Sequence, residues 1–154
     1  MHALTVLTDD LFAPAMHQLV DDGQGGIRYW PAAIDPDTAR RWFDALREGA
    51  AWTHLQRPMY DRIVDVPRLL ANYAVDHLPA DLPLADLLAC VQVRVPAPYS
   101  RIGMNLYRDG NDSVAMHGDK LHTLAAGHPI TLVSLGAPSR ARISAVFRVR
   151  PTTA

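Results

Sequence analysis

The feature that most limits the fold of this 154-residue chain is the order of two hydrophobic periodicities. Apolar residues recur at helical spacing through residues 36–48 and again from Leu84 to about Val93. From Ile102 onward, apolar residues alternate with polar ones, which is typical of strands with one buried face. Helices followed by strands favour an α+β domain with a mainly antiparallel sheet in its C-terminal half.

The first helix carries the clearest local signals. Asp35 suits the N-cap, Pro36 suits the first helical position, and Gly49 is suited to end the helix. Its apolar face consists of Ala39, Trp42, Phe43 and Leu46. We expect this face to pack against the sheet.

The strand pattern is interrupted by turns. Predicted strands are 27–30, 102–107, 114–119, 130–135 and 142–150, and a turn is predicted at Asp109-Gly110. Residues 53–82 contain several prolines and predict irregular structure with short strands. We assign residues 1–26 to an N-terminal extension and residues 27–154 to the domain itself.

Charge, cysteine content and hydrophobicity indicate where the chain is expected to function. The formal net charge of −1 is not the strongly positive charge expected of a general nucleic-acid binder. Net charge does not describe how charges are distributed, so a local basic patch is still allowed. Cys90 is the single cysteine, so no internal disulfide forms. No apolar run approaches the roughly 20 residues of a membrane helix. These features predict a cytoplasmic monomer that does not enter a membrane.

The sequence His117-Gly118-Asp119 is a candidate metal site. On a strand, residues two apart point to the same face, so an imidazole and a carboxylate could bind one ion. With a distant histidine they would form the two-histidine, one-carboxylate face that holds iron(II). A solvated pair is the alternative, because this short pattern arises by chance in many sequences.

The last predicted strand is a candidate anion site. Arg142 and Arg148 share one face and lie about 20 Å apart along an extended strand. Two guanidinium groups so placed could hold a short dicarboxylate between them. Asn105 and Tyr107 also share a strand face and could donate hydrogen bonds to the same carboxylates. The alternative is an ordinary amphipathic strand with solvated arginines.

Together these motifs resemble the AlkB family of alkylation-repair dioxygenases. The family pattern of Asn-x-Tyr, a turn rich in Asp and Gly, and His-x-Asp is similar to residues 104–119. Residues 133–138 look like the strand after the family's iron loop, and residues 142–148 look like its terminal strand. Residues 57–60 and 66–69 resemble an upstream family stretch less specifically. The similarity extends from about Ile27 to Arg150.

The resemblance implies a double-stranded β-helix, a form of jelly roll, with N-terminal helices packed on the sheet. It implies an iron(II)- and 2-oxoglutarate-dependent dioxygenase that dealkylates nucleobases in DNA or RNA. His117 and Asp119 would be iron ligands. The 2-oxoglutarate site would consist of Asn105, Tyr107, Arg142 and Arg148.

The sequence departs from the family pattern between Pro138 and Arg142. Family members have several tens of residues there, including the second iron histidine, whereas this sequence has no histidine beyond His128. His122 and His128 lie between Asp119 and the strand at residues 133–138, whereas the family's second iron histidine follows that strand. The stretch is either deleted from this member of the family, leaving an incomplete jelly roll, or missing from the sequence.

Two functions follow from these observations. The first is the family's enzyme, for which Tyr60 and Tyr73 are candidates to stack on a flipped base and Arg57, Arg62 and Arg68 are candidates for phosphate contacts. Packing tyrosines and a solvated basic face are the alternatives. The second function is a non-enzymatic module that binds 2-oxoglutarate or nucleic acid. The presence of a third protein ligand to the metal would favour the enzyme, and its absence would favour the non-enzymatic module.

Overall fold

The computed structural model describes residues 16–113, 119–137 and 140–152. The chain divides into two compact units, and the boundary falls between Pro36 and Asp37. The first unit contains strands β1 (His17–Val20) and β2 (Ile27–Tyr29), which pair antiparallel. β2 confirms the predicted short strand, and the predicted domain boundary after residue 26 stays a prediction.

Two helices and five further strands follow in the described part of the chain. In order they are α1 (Pro36–Gly49), β3 (Thr53–Met59), β4 (Arg62–Ala74), α2 (Leu84–Arg94), β5 (Arg101–Tyr107), β6 (Thr131–Gly136) and β7 (Arg142–Arg148). The strands form one antiparallel sheet in the order β3-β4-β5-β7-β6. The α+β class is therefore confirmed. None of the described helices has the length and apolar character needed to cross a membrane.

One face of the sheet belongs to the core. Alternation on β5 and β7 sends six apolar side chains to this face, where all are buried: Ile102, Met104, Leu106, Ile143, Ala145 and Phe147. The helices bury Leu46, Leu84, Leu87 and Val91. The opposite face of β5 and β7 carries the polar residues that the sequence motifs single out.

Hydrogen bonds tie the helix ends to the sheet. The Tyr73 hydroxyl on β4 accepts a hydrogen bond of 2.8 Å from the Ala51 backbone nitrogen, just beyond α1. The Tyr99 hydroxyl lies 2.8 Å from the Val95 carbonyl and 2.6 Å from the Thr131 hydroxyl. These contacts hold the segment after each helix against the core face of the sheet.

The predicted apolar face of α1 is only partly buried. Leu46 is fully buried, whereas Trp42 and Phe43 are half-buried. The Phe43 ring lies beside Gly136, where an added Cβ would come within 3.1 Å of its Cε2. The helix thus packs most tightly through its last turns.

The prediction of irregular structure with short strands over residues 53–82 underestimates the length of the strands. Residues 53–74 form β3, β4 and the turn between them, and β4 is the longest of the described strands. Pro58 is tolerated because β3 lies at the edge of the sheet. Pro67 falls where the β3–β4 register shifts, between the partner pairs His54↔Leu69 and Gln56↔Asp65. Neither proline therefore interrupts a central ladder.

β6 and β7 form a tight hairpin. Gly136 pairs with Arg142, and the Ala137 nitrogen donates to the Ala141 carbonyl at 3.3 Å. Gly136 has a φ of +97°, and a Cβ there would lie 2.4 Å from the Ala141 carbonyl oxygen. Glycine is required at this turn for both reasons. Pro138 and Ser139 lie outside the described residues.

Candidate functional site

A cleft of about 380 Å³ lies on the polar face of the central strands. It is lined from β4, β5, β6 and β7 and by Asp119, which precedes a short 3₁₀ turn at Leu121–Thr123. The lining includes Arg68, Asn105, Tyr107, Asp119, Ser144 and Arg148. Register explains the grouping, because Asn105 is the partner of Leu70 on one side and of Ser144 on the other.

Arg148 and Asp119 form a two-point ion pair in this cleft. Arg148 Nε donates to Asp119 Oδ2 at 2.6 Å, and its terminal nitrogen donates to Oδ1 at 3.3 Å. Both side chains are 23% exposed, so water screens the pair less than it would at an open surface. The structure thus joins a candidate 2-oxoglutarate residue to a candidate iron ligand.

Gly103 makes room for the Arg148 guanidinium. A Cβ at Gly103 would lie 3.2 Å from an Arg148 terminal nitrogen and 3.3 Å from Asn72 Oδ1. Arg148 therefore lies across the strand pair, above a position that has no side chain. The absence of a side chain at Gly103 sets the depth of the cleft here.

Arg68 is a cleft residue that the sequence did not single out for this site. Its Nε donates to Asn105 Oδ1 at 2.8 Å, which fixes the orientation of the amide. Its terminal nitrogen reaches the Ser113 carbonyl at 3.5 Å. Alternation along β4 could have placed Arg68 with Leu70 and Asn72 on the cleft face, had this stretch been predicted as one continuous strand.

Arg142 lies at the far end of the same face. Its guanidinium carbon is 4.4 Å from the centre of the Tyr107 ring, a cation–π contact. Tyr107 is buried and lines the cleft, whereas Arg142 is not among the lining residues. Arg142 therefore contacts a cleft residue, Tyr107, without lining the cleft itself. Arg148 is the arginine of β7 that lines the cleft.

The other predicted residues divide by position. Tyr60 is fully exposed at the β3–β4 turn, with a φ of +59°. Tyr73 lies on the opposite face of β4, where its hydroxyl bonds to Ala51. Neither tyrosine lines the cleft.

The candidate iron ligands are described in part. His117 lies outside the described residues, as does most of the predicted strand 114–119, and Asp119 itself is not in a strand. Within the described ranges, no three His, Cys, Asp or Glu side chains form a group that could hold a metal ion. His122 is in the 3₁₀ turn after Asp119, and His128 lines a different cleft. The iron site stays a prediction.

The Asp119 carboxylate fits a metal ligand in one respect. Arg148 holds this carboxylate through two hydrogen bonds. Carboxylates that bind metals are commonly held by such hydrogen bonds. Arg68, Asn105 and Arg148 likewise fit a carboxylate ligand, because guanidinium and amide groups donate to it.

A turn anchors the segment that leads towards Asp119. The Arg108 backbone nitrogen and Nε both donate to Asp112 Oδ2, at 2.8 and 2.7 Å. The hydrogen bond from the Arg108 side chain is the main reason that the pKa of Asp112 lies below its ordinary value. Beyond it, the Ser113 nitrogen donates to the Pro67 carbonyl at 2.9 Å. The segment after β5 thus starts from a fixed point on β4.

Comparison with known proteins adds no assignment to this geometry. No protein-family model matches the sequence, and no curated protein matches it. A function for the chain therefore depends on its own residues and on the arrangement of the cleft.

Proposed function

We propose that this chain is an AlkB-type dioxygenase domain that uses iron(II) and 2-oxoglutarate to dealkylate nucleobases in DNA or RNA. The observation that supports it is that Asn105, Tyr107, Asp119 and Arg148 line one cleft. These four residues come from three separate motifs of the family pattern. The five-stranded sheet would be one half of a jelly roll, with its polar face inward.

The cleft suits a small dicarboxylate. Its volume of about 380 Å³ lies within the roughly 300–1,000 Å³ of small-molecule sites. Arg148 and Asn105 would bind the carboxylates, and Arg68 would hold the Asn105 amide in position. Arg142 would act through the Tyr107 ring, which it contacts.

Asp119 and His117 would hold the iron, and Arg148 would orient the Asp119 carboxylate. Bound iron(II) would supply hydroxylation of the alkyl group by oxygen, coupled to conversion of 2-oxoglutarate to succinate and carbon dioxide. The hydroxyalkyl group would then leave the base as an aldehyde. A base in a duplex cannot enter a cleft, so the substrate base would be flipped or single-stranded. The exposed ring of Tyr60 is available to stack on a nucleic-acid base.

The tight β6–β7 hairpin favours a second candidate function. Family members place the second iron histidine between the corresponding strands, whereas here Gly136 pairs directly with Arg142. A chain with two protein ligands would hold iron weakly. In that case the domain would be a non-enzymatic module that binds 2-oxoglutarate.

Anaerobic iron(II) titration with 2-oxoglutarate tests the two candidates. The enzyme should give a saturable metal-to-ligand charge-transfer band, which Asp119→Asn and Arg148→Gln should abolish. Arg47→Gln on the exposed side of α1 is the matched control and should leave the band unchanged. Calorimetric binding of 2-oxoglutarate without a band would favour the module. Absence of any saturable binding would contradict both candidates.

A further inference from the structure

A second cleft, of about 850 Å³, opens where β7 ends and β5 begins. Its lining includes Ser100, Arg101, His128, Arg150 and Thr152, and none of the described residues that line it is acidic. Asn72 lines both this cleft and the first cleft, which holds Arg148 and Asp119, so the two clefts adjoin on the same sheet.

The two arginines of this cleft differ from Arg148 in their partners. Arg148 is neutralised by Asp119. In the described part of the chain, neither Arg101 nor Arg150 has a carboxylate within ion-pair distance, and both side chains are exposed. Arg101 is also the strand partner of Arg148, so several guanidinium groups gather at this end of β7. The local potential is therefore positive, although the chain as a whole carries −1.

The floor of the cleft is held by backbone hydrogen bonds. The Ser100 hydroxyl accepts from the Arg150 nitrogen at 2.9 Å, and the Ser100 nitrogen donates to the Arg148 carbonyl at 3.0 Å. The Ala125 nitrogen donates to the Val149 carbonyl at 2.9 Å, which brings the segment with His128 to the cleft. The two arginines thus project from backbone that is fixed relative to the sheet.

We propose that this cleft binds phosphate groups through Arg101 and Arg150, with His128 at its rim. Guanidinium forks match phosphate oxygens, and no lining carboxylate competes for them. A single nucleic-acid strand would lie along Arg101 and Arg150 while one of its bases enters the adjoining cleft. This use as a backbone contact rests on the proposed function, whereas the phosphate site itself does not. A free mononucleotide carries the same phosphate chemistry.

Fluorescence anisotropy with a short labelled oligo(dT) tests the proposal without metal or turnover. Loss of two phosphate contacts in Arg101→Ala/Arg150→Ala should reduce the salt slope of binding by about 1.4. The same change should weaken binding about tenfold at about 200 mM salt. Arg40→Ala/Arg47→Ala removes two exposed charges from α1 and should change neither quantity by more than a small fraction.

Competition separates the sources of the phosphate. If a nucleic-acid strand is the ligand, oligo(dT) should bind far more tightly than adenosine monophosphate or inorganic phosphate. Either small ligand should then displace oligo(dT) only at a much higher concentration. If adenosine monophosphate binds the wild type and not the double variant while oligo(dT) does not bind, the site takes a mononucleotide. Equal weakening by both double variants would overturn the site, as would failure of all three phosphate ligands to bind. A negative iron titration would leave these results intact, so the two proposals fail separately.

Discussion

Adding a methyl group at Gly103 tests whether the first cleft holds a carboxylate at Arg148. The new Cβ would lie 3.2 Å from the Arg148 guanidinium and 3.3 Å from Asn72 Oδ1, so both side chains must yield by a few tenths of an ångström. The φ of Gly103 is not in the left-handed region, and the backbone therefore accepts alanine. The change perturbs the cleft and leaves the fold in place.

The expected magnitudes separate binding from stability. Alanine within a strand should gain roughly 0.5–1 kcal/mol over glycine, which the close contact would offset, so net stability should change by under about 1 kcal/mol. Hydrogen bonds to charged groups contribute about 1.5–3 kcal/mol, and partial loss of one should cost about 1 kcal/mol of binding. That loss corresponds to about a fivefold weaker affinity for 2-oxoglutarate. Gly103→Val, which fills more of the cleft, should reduce affinity further.

Calorimetric titration with 2-oxoglutarate and urea unfolding, made on the same preparations, measure both effects. Gly110→Ala is the matched control, because a Cβ there meets nothing within 4 Å. If Gly103→Val binds 2-oxoglutarate as tightly as the wild type while folding normally, the ligand does not sit above Gly103. The placement of the dicarboxylate in this cleft would then be wrong.

Two further predictions concern stability. Leu46→Ala should destabilise by about 2–5 kcal/mol in urea unfolding, whereas Phe43→Ala should cost roughly half of the usual 3–5 kcal/mol because its ring is half-buried. Equal losses at both positions would contradict this packing of α1. Asp112 should stabilise the fold above its ordinary pKa of 3.8, and this contribution should be lost as the pH falls through its lower folded pKa. Asp112→Asn should therefore be less stable than the wild type at neutral pH and should approach it in acid; a constant difference would refute the assignment.

Local patterns predicted the elements that contribute one clear face to the core. The positions of α1, α2, β6 and β7 and the alternation of β5 and β7 are confirmed. β5 and β7 bury a continuous apolar set, whereas α1 and β6 each bury a single apolar residue, Leu46 and Leu135. The lengths of β3 and β4 were underestimated for the opposite reason. β3 is exposed throughout, so it has no buried apolar face, and each of the two strands contains one proline, which resembles a loop signal.

The candidate site could likewise be predicted only in part from the sequence. The faces of β5 and β7 could be predicted from alternation, which brings Asn105 and Arg148 to one side. Arg68 was not placed at this site because β4 was not predicted as one continuous strand. The pairing of Arg148 with Asp119 could not be predicted, since it depends on the path of the chain after β5 rather than on strand parity.

The register of β5 and β7 has an energetic consequence for both clefts. It sets Arg101 directly opposite Arg148, and like charges at such positions destabilise a sheet by up to about 1 kcal/mol. Asp119 offsets the charge of Arg148, whereas the described structure gives Arg101 and Arg150 no carboxylate. A bound phosphate would remove that remaining repulsion, so its binding energy would include relief of a cost present in the free protein. The same face would then hold a carboxylate ligand at Arg148 and a phosphate at Arg101.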